Sequence, residues 1–86
     1  MDDAKIRQYL SRTLLIELGD GPSRVPEGQN LFEAGLIDSF AFVELVAFLE
    51  KEFKIKITDG EALSDALSSY AGIRAFVESK VGGGAR

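Results

Sequence analysis

The residues of this chain whose types and spacing could do chemistry are Asp38 and Ser39, which stand between a glycine and a strongly apolar segment. Both are good N-cap residues, because their side-chain oxygens accept from the free N–H groups of a first helical turn. Gly35 suits a sharp turn into that helix, since it adopts backbone angles closed to other residues. A hydroxyl placed there faces outward at the positive end of the helix dipole, which suits a phosphate ester. The pattern indicates a modification site on Ser39, and an ordinary helix cap is the alternative.

The rest of the sequence offers little for catalysis or metal binding. It contains no His and no Cys, so Ser39 has no imidazole to act as its general base. The soft ligands that zinc prefers are missing for the same reason. The carboxylates lack the spacing of a calcium loop, and no Gly-x-x-x-x-Gly-Lys phosphate loop occurs. We therefore predict no catalytic residue, no metal site and no enzyme activity.

Composition and charge narrow the class of protein and of partner. The chain has 86 residues, enough for one small domain, and its 45% hydrophobic and 28% charged content is typical of a soluble globular protein. A net charge of −4 argues against nucleic acid and favours partners with basic surfaces. With no apolar run of bilayer length and no signal-peptide pattern, we expect no membrane insertion. The absence of cysteine fits a cytoplasmic location.

Hydrophobic spacing predicts three longer helices and one short one. The first runs from a cap at Asp2 or Asp3 to about Leu18, where Gly19 stops it. A long loop at 19–35 follows, tied to the core by Leu31 and Phe32, in one short helical turn. The later helices are predicted over Ser39–Phe53, from about Asp59 to Asp65 behind a Thr58/Glu61 capping box, and from about Tyr70 to Lys80 behind a Ser69 cap.

These elements predict an all-α fold, a small four-helix bundle with a long first loop. We expect a monomeric domain at residues 1–81 and a flexible tail at 82–86, where glycines follow one another. The inner stripe of the last helix is predicted at Tyr70, Ile73, Val77 and Val81. Gly72 lies inside that helix, where it weakens the helix by about 1 kcal/mol unless close packing requires it.

The second helix is apolar on two faces. At about 100° per residue, one stripe forms the expected core face, at Phe42, Leu45, Val46, Leu49 and Phe53. A second row lies roughly opposite and contains Phe40, Val43, Glu44, Ala47 and Lys51. An exposed apolar patch edged by charges usually marks a binding surface. We therefore predict that this second row contacts a partner.

A family resemblance is carried by the motif Leu31-Phe32-Glu33-Ala34-Gly35-Leu36-Ile37-Asp38-Ser39-Phe40, followed by Val43–Val46 and Leu49–Phe53. It closely resembles the acyl carrier protein family, whose pattern is Gly, two residues, Asp-Ser-Leu or Asp-Ser-Met, and an apolar helix with glutamates. The resemblance covers nearly the whole chain, and its specific residues lie within 31–53. It implies that Ser39, flanked by Asp38, carries a phosphopantetheine arm. A carrier protein synthase (a phosphopantetheinyl transferase) would attach that arm from coenzyme A.

The resemblance also implies a mechanism and a set of partners. The thiol of the arm would hold acyl intermediates as thioesters and present them to loading and transfer enzymes in fatty acid, polyketide or related biosynthesis. Partners would meet an apolar centre with glutamates at its rim, formed by Phe40, Val43, Ala47, Glu44 and Glu50. Phe40 and Phe42 are also candidates to line a crevice for the cargo.

Some positions depart from the fatty acid synthesis carriers. Ala41 and Ala47 replace an acid and a larger apolar residue, and lysines stand at 51, 54 and 56. The docking face is therefore less negative, which favours a specialised stand-alone carrier. Two alternatives stay open: an aminoacyl carrier, such as a D-alanyl or peptidyl carrier, and an unmodified helical interaction module that uses the Phe40 face.

Overall fold

The computed structural model describes residues 3–83 and contains four α-helices and one 3-10 helix there. The helices are α1 (Ala4–Thr13), α2 (Ser39–Phe53), α3 (Asp59–Ala62) and α4 (Tyr70–Gly83), and the 3-10 helix at Asp65–Leu67 lies between α3 and α4. Within residues 3–83 there is no β-strand, and Leu18 and Val25 form an isolated parallel bridge. The predicted all-α class is confirmed for these residues. None of their helices is long and apolar enough to cross a bilayer.

One hydrophobic core is shared by α1, α2, α4 and the segments that connect them. Its helical members are fully buried: Ile6 and Leu10 from α1, Leu45 and Leu49 from α2, and Tyr70, Ile73 and Val77 from α4. The connecting segments add Ile16, Leu18, Leu31, Ile37, Ile57 and Leu67. The predicted core face of α2 is confirmed, with the remaining members of its stripe packed against this cluster. Because burial of this apolar surface fixes α2 against its neighbours, the position of Ser39 is set by the core.

α1 ends at Thr13, so the predicted end at Leu18 and the stop at Gly19 are wrong. Leu15 adopts a left-handed conformation with φ 59°, which a right-handed helix does not accommodate. The N–H groups of Leu14 and Ile16 both donate to the carbonyl of Leu10, at 3.1 and 2.9 Å. Leu18 is buried in the core, but it belongs to an extended segment and not to the helix. The apolar spacing of the sequence therefore extends beyond the end of the helix.

A capped helical turn leads the chain into α2. The Asn30 side chain accepts from the Glu33 N–H at 2.9 Å. The N–H groups of Gly35 and Leu36 donate back to the carbonyls of Phe32 and Leu31, at 3.0 and 2.9 Å. Gly35 has φ 73°, so this is the Schellman ending that glycine favours. The predicted short helical turn and the predicted role of Gly35 are confirmed.

The two residues expected to tie this turn to the core behave differently. Leu31 is buried, and its N–H donates to the Ser68 carbonyl at 2.8 Å. Phe32 keeps 41% of its surface exposed and lies against the ring of Phe42, with 5.2 Å between ring centroids. Leu31 is therefore the core anchor, and Phe32 faces the surface beside α2.

α3 is shorter than predicted, because it ends at Ala62 rather than near Asp65. The predicted capping box is confirmed: the Thr58 hydroxyl accepts from the Glu61 N–H, and the Glu61 carboxylate accepts from the Thr58 N–H. Ser64 interrupts the helix, since its hydroxyl donates to the Glu61 carbonyl at 2.7 Å and accepts from the Ala66 N–H. Such side-chain bonds compete with the helical pattern. The chain therefore continues as a 3-10 helix.

α4 begins where it was predicted and ends later. The Ser69 hydroxyl accepts from the Gly72 N–H at 3.1 Å, so the predicted cap is confirmed. Val81 is exposed, and its prediction as a core residue is wrong. Residues 82 and 83 belong to the helix rather than to the predicted tail, and residues 84–86 lie outside the described part of the chain.

The buried Tyr70 links α4 to the N-terminal end of α1. Its hydroxyl donates to the Asp3 carboxylate at 2.7 Å, and the Arg7 guanidinium lies 4.8 Å from its ring centroid. Asp3 is therefore used for this bond and makes no side-chain cap to α1, while Asp2 lies outside the described residues. Burial, followed by the hydrogen bond to Asp3, raises the pKa of Tyr70 to about 12 from an ordinary 10.0.

We expect Tyr70→Phe to lower the free energy of unfolding near pH 7 by about 0.5–1.5 kcal/mol, the net value of a typical hydrogen bond. The larger value of a buried charged partner does not apply, because the Asp3 carboxylate is partly exposed to solvent. Folding raises this pKa, so the contribution is complete below pH 10 and is lost as the pH rises towards 12. The difference between variant and wild type should therefore shrink over that range. Urea titrations at several pH values measure it, and a difference that stays constant up to pH 12 would count against this bond.

Candidate functional site

Ser39 is the first residue of α2, and its side chain is exposed. Asp38 is the N-cap, because its carboxylate accepts from the Ala41 N–H at 2.8 Å. The Ser39 hydroxyl has no hydrogen-bond partner among residues 3–83. Since Asp38 caps the helix, the hydroxyl of Ser39 is left available at the positive end of the helix dipole.

The segment before Ser39 is held on both sides. Ile37 is buried in the core, and the Gly35 turn is closed by backbone hydrogen bonds. On the other side, Leu45 and Leu49 fix α2 from within the core. The hydroxyl is therefore presented on a rigid frame, although the residue itself is open to solvent.

A groove of about 710 Å³ opens beside Ser39. Its apolar walls come from three parts of the chain: Phe42 and Val43 of α2, Phe32 of the turn before α2, and Ala62 and Leu63 at the end of α3. Polar and acidic residues complete it: Asn30, Glu33, Asp59, Ser64, Asp65 and Ser68. A group tethered to the Ser39 hydroxyl would have this groove within reach.

Four of the five predicted partner-binding residues lie in one exposed row of α2. Phe40 is 73% exposed and Val43 is 66% exposed, and Glu44 and Ala47 are exposed next to them. Glu50 differs, because it is half-buried and its carboxylate accepts from the Ile57 N–H at 2.8 Å. This bond ties the segment after α2 to the helix. Glu50 therefore has a structural role in the fold. The side chains of the exposed row, by contrast, do not belong to the hydrophobic core.

Glu44 also acts on the neighbouring helix. Burial, followed by the negative charge of Glu44, raises the pKa of Tyr9 above its ordinary value. The ring of Tyr9 stacks on Phe48, with 4.3 Å between centroids. This stack packs α1 against the side of α2, next to the exposed row.

Sequence reasoning missed part of the groove. Leu63 is 86% exposed at its edge, and it follows a helix whose early end at Ala62 gave no clear signal. Of the two aromatic residues considered for a crevice, Phe42 lines the groove and Phe40 does not. An exposed Phe40 therefore belongs to the outer row of α2 and not to the groove.

The described residues offer no alternative centre for metal chemistry. Within residues 3–83, no three His, Cys, Asp or Glu side chains are grouped so that they could hold a metal ion.

A family model described as a phosphopantetheine attachment site matches residues 4–77, which span α1 to most of α4. No curated protein and no solved structure matches the chain.

Proposed function

This chain belongs to the phosphopantetheine attachment site family, as acyl carrier proteins do, and on that premise we propose that Ser39 is the serine that carries the arm. Domains of this family hold phosphopantetheine covalently on a serine. The observation that carries the proposal is the exposed Ser39 hydroxyl at the start of α2, free because Asp38 caps the helix.

The other serines at the groove support this choice. The hydroxyl of Ser64 donates to the Glu61 carbonyl, and that of Ser68 donates to the Asp65 carbonyl, each at 2.7 Å. Both hydroxyls therefore contribute to the turns around the 3-10 helix. Of the serines that line the groove, Ser39 is the one whose hydroxyl forms no hydrogen bond within residues 3–83.

Attachment needs a second protein, because the chain has no histidine and the neighbouring Asp38 carboxylate accepts from the Ala41 N–H rather than from the Ser39 hydroxyl. The Ser39 oxygen would bond to the phosphorus at the arm's end of coenzyme A, and the pyrophosphate bond would break and release adenosine 3′,5′-bisphosphate. The hydroxyl proton would pass to a base of the transferase. Asp38 would hold the first turn of α2 in place while that enzyme docks. Once attached, the arm supplies a thiol that binds acyl groups as thioesters.

The cargo that we propose is an acyl chain from fatty acid, polyketide or related biosynthesis. The apolar walls of the groove support this, since Phe32, Phe42, Val43 and Leu63 would bury aliphatic surface. An aminoacyl cargo is the second candidate, because Glu33, Asp59 and Asp65 at the groove would attract an ammonium group. Family membership disfavours an unmodified interaction module.

We infer a specialised carrier without enzyme activity, whose partners load, extend or transfer the cargo and contact Phe40, Val43 and Ala47. The core shared by α1, α2 and α4 supports the four-helix bundle predicted from the sequence. The monomeric state and the cytoplasmic location stay predictions of the sequence.

The cargo is tested on the arm-bearing protein. We would offer it fatty acids with ATP and an acyl-adenylating enzyme, and separately amino acids with amino-acid-adenylating enzymes. Intact mass should show a fatty acyl adduct that hydroxylamine removes, as expected of a thioester. Charging with amino acids alone would favour the second candidate. An arm that accepts neither class would contradict the carrier function.

A further inference from the structure

The exposed row of α2 changes its charge along the helix. Beside its first end, Asp38 is exposed at the helix cap, and three further exposed carboxylates border the groove, at Glu33, Asp59 and Asp65. Along the row itself, Phe40, Val43 and Ala47 are apolar, and Glu44 lies between Val43 and Ala47. At the far end Lys51 is exposed, and Lys54 and Lys56 are exposed in the residues that follow. The carboxylates therefore lie beside Ser39 and in the first half of the row, and the lysines lie at its far end.

The helix geometry sets the spacing of these parts. Phe40, Val43, Ala47 and Lys51 follow one another every three or four residues, so they lie on one side of α2. Ser39 and Lys51 are twelve residues apart in the same helix, which corresponds to about 18 Å at 1.5 Å per residue. The basic end thus lies about 18 Å from the Ser39 hydroxyl along the helix axis.

The side-chain charges of the three lysines take part in no ion pair within residues 3–83. The ion pairs among residues 3–83 involve Lys5, Arg7, Arg24, Arg74 and Lys80, and none involves Lys51, Lys54 or Lys56. The helix dipole favours a cation in the last turn, which accounts for Lys51. It does not account for Lys56, which lies in the extended segment beyond the helix. Three exposed cations that take part in none of these ion pairs are suited to an external anionic group.

We propose that this row is an oriented docking surface for a partner protein whose own surface is basic beside Ser39, apolar in the middle and acidic about 18 Å away. The inference rests on the proposed function only in that the partner reaches a group carried on Ser39. If the partner docked the other way round, like charges would meet at both ends. The change of sign along α2 therefore selects one direction of approach and disfavours partners that are basic throughout.

Two synthetic helical peptides of about 18 residues test the charge order. Both carry a leucine stripe; one has lysines at one end and glutamates at the other, and the second has lysines at both ends. Each is titrated into the ¹⁵N-labelled full chain carrying Ser39→Ala, so the outcome does not depend on the arm. We expect the mixed-charge peptide to bind about tenfold more tightly, with amide shifts centred on Phe40, Val43, Ala47 and Lys51.

Charge reversal provides the matched comparison. Lys51→Glu combined with Lys54→Glu should abolish the preference for the mixed-charge peptide or turn it towards the all-lysine peptide. Arg12→Glu reverses an exposed cation on α1 that is not part of this row, and should leave the preference unchanged. Equal or tighter binding of the all-lysine peptide to the chain with its lysines intact would overturn the proposal. No binding of either peptide, or shifts confined to other helices, would overturn it as well.

Discussion

Replacing Ser39 with alanine should abolish attachment of the phosphopantetheine arm while leaving the protein folded. With coenzyme A and a broad-specificity phosphopantetheinyl transferase, the unaltered chain should gain the mass of one arm, and Ser39→Ala should gain none. The fold should tolerate the change, because the Ser39 hydroxyl forms no hydrogen bond within residues 3–83 and Asp38 caps the helix. We therefore expect the free energy of unfolding to change by less than about 0.5 kcal/mol.

Two serines of the same groove provide controls for this result. Ser64→Ala and Ser68→Ala remove hydroxyls that donate to backbone carbonyls, so each should lose some stability and still accept the arm. Intact mass measures the modification, and urea unfolding measures the stability. If Ser39→Ala still gained the arm, the assignment of this residue would be wrong.

The largest expected effect on stability comes from Gly72→Ala. A Cβ at this position would overlap the carbonyl oxygen of Ala66 and lie 3.3 Å from the Ser69 hydroxyl. Ala66 belongs to the 3-10 helix that packs on α4, so relief of the clash requires backbone movement. Overpacking typically costs about 1–3 kcal/mol, and a clash with a backbone oxygen lies at the upper end of that range. The cost therefore exceeds the gain of about 1 kcal/mol that alanine brings in a helix. The variant should therefore be less stable than the unaltered protein.

Gly60→Ala is the matched control for this prediction. Gly60 lies in α3, and nothing stands within 4 Å of the Cβ that it would acquire. The same change of residue should therefore leave stability unchanged or raise it by up to about 1 kcal/mol. Denaturant titrations of both variants give the comparison. A Gly72→Ala variant as stable as Gly60→Ala would show that α4 and the 3-10 helix are not packed as described.

The segment around α2 was predictable because each of its signals is local. Asp38 is a strong cap, the apolar stripe runs without interruption to Phe53, and Gly35 has the conformational freedom that the preceding turn needs. The Thr58/Glu61 capping box and the Ser69 cap were predictable for the same reason, since their partners lie three residues away. These short-range rules were enough to place Ser39 at an exposed helix start.

The features that escaped prediction depend on distant contacts. Leu15 carries no sequence signal for a left-handed conformation, and Leu18 continued the helical spacing while pairing with Val25. Gly72 was recognised as a candidate for close packing, but its neighbour Ala66 could be identified only from the structure. The groove beside Ser39 brings together residues from 30 to 68. No local sequence pattern predicts that these residues lie next to one another.

Location of the arm within the unaltered protein tests the central claim most directly. After modification with coenzyme A and the transferase, proteolysis and fragment mass analysis identify the residue that carries the added group. We predict that the group lies on Ser39, in the fragment that contains Asp38 and Phe40. An arm on Ser64, Ser68 or another serine, or a folded protein that stays unmodified, would contradict the account.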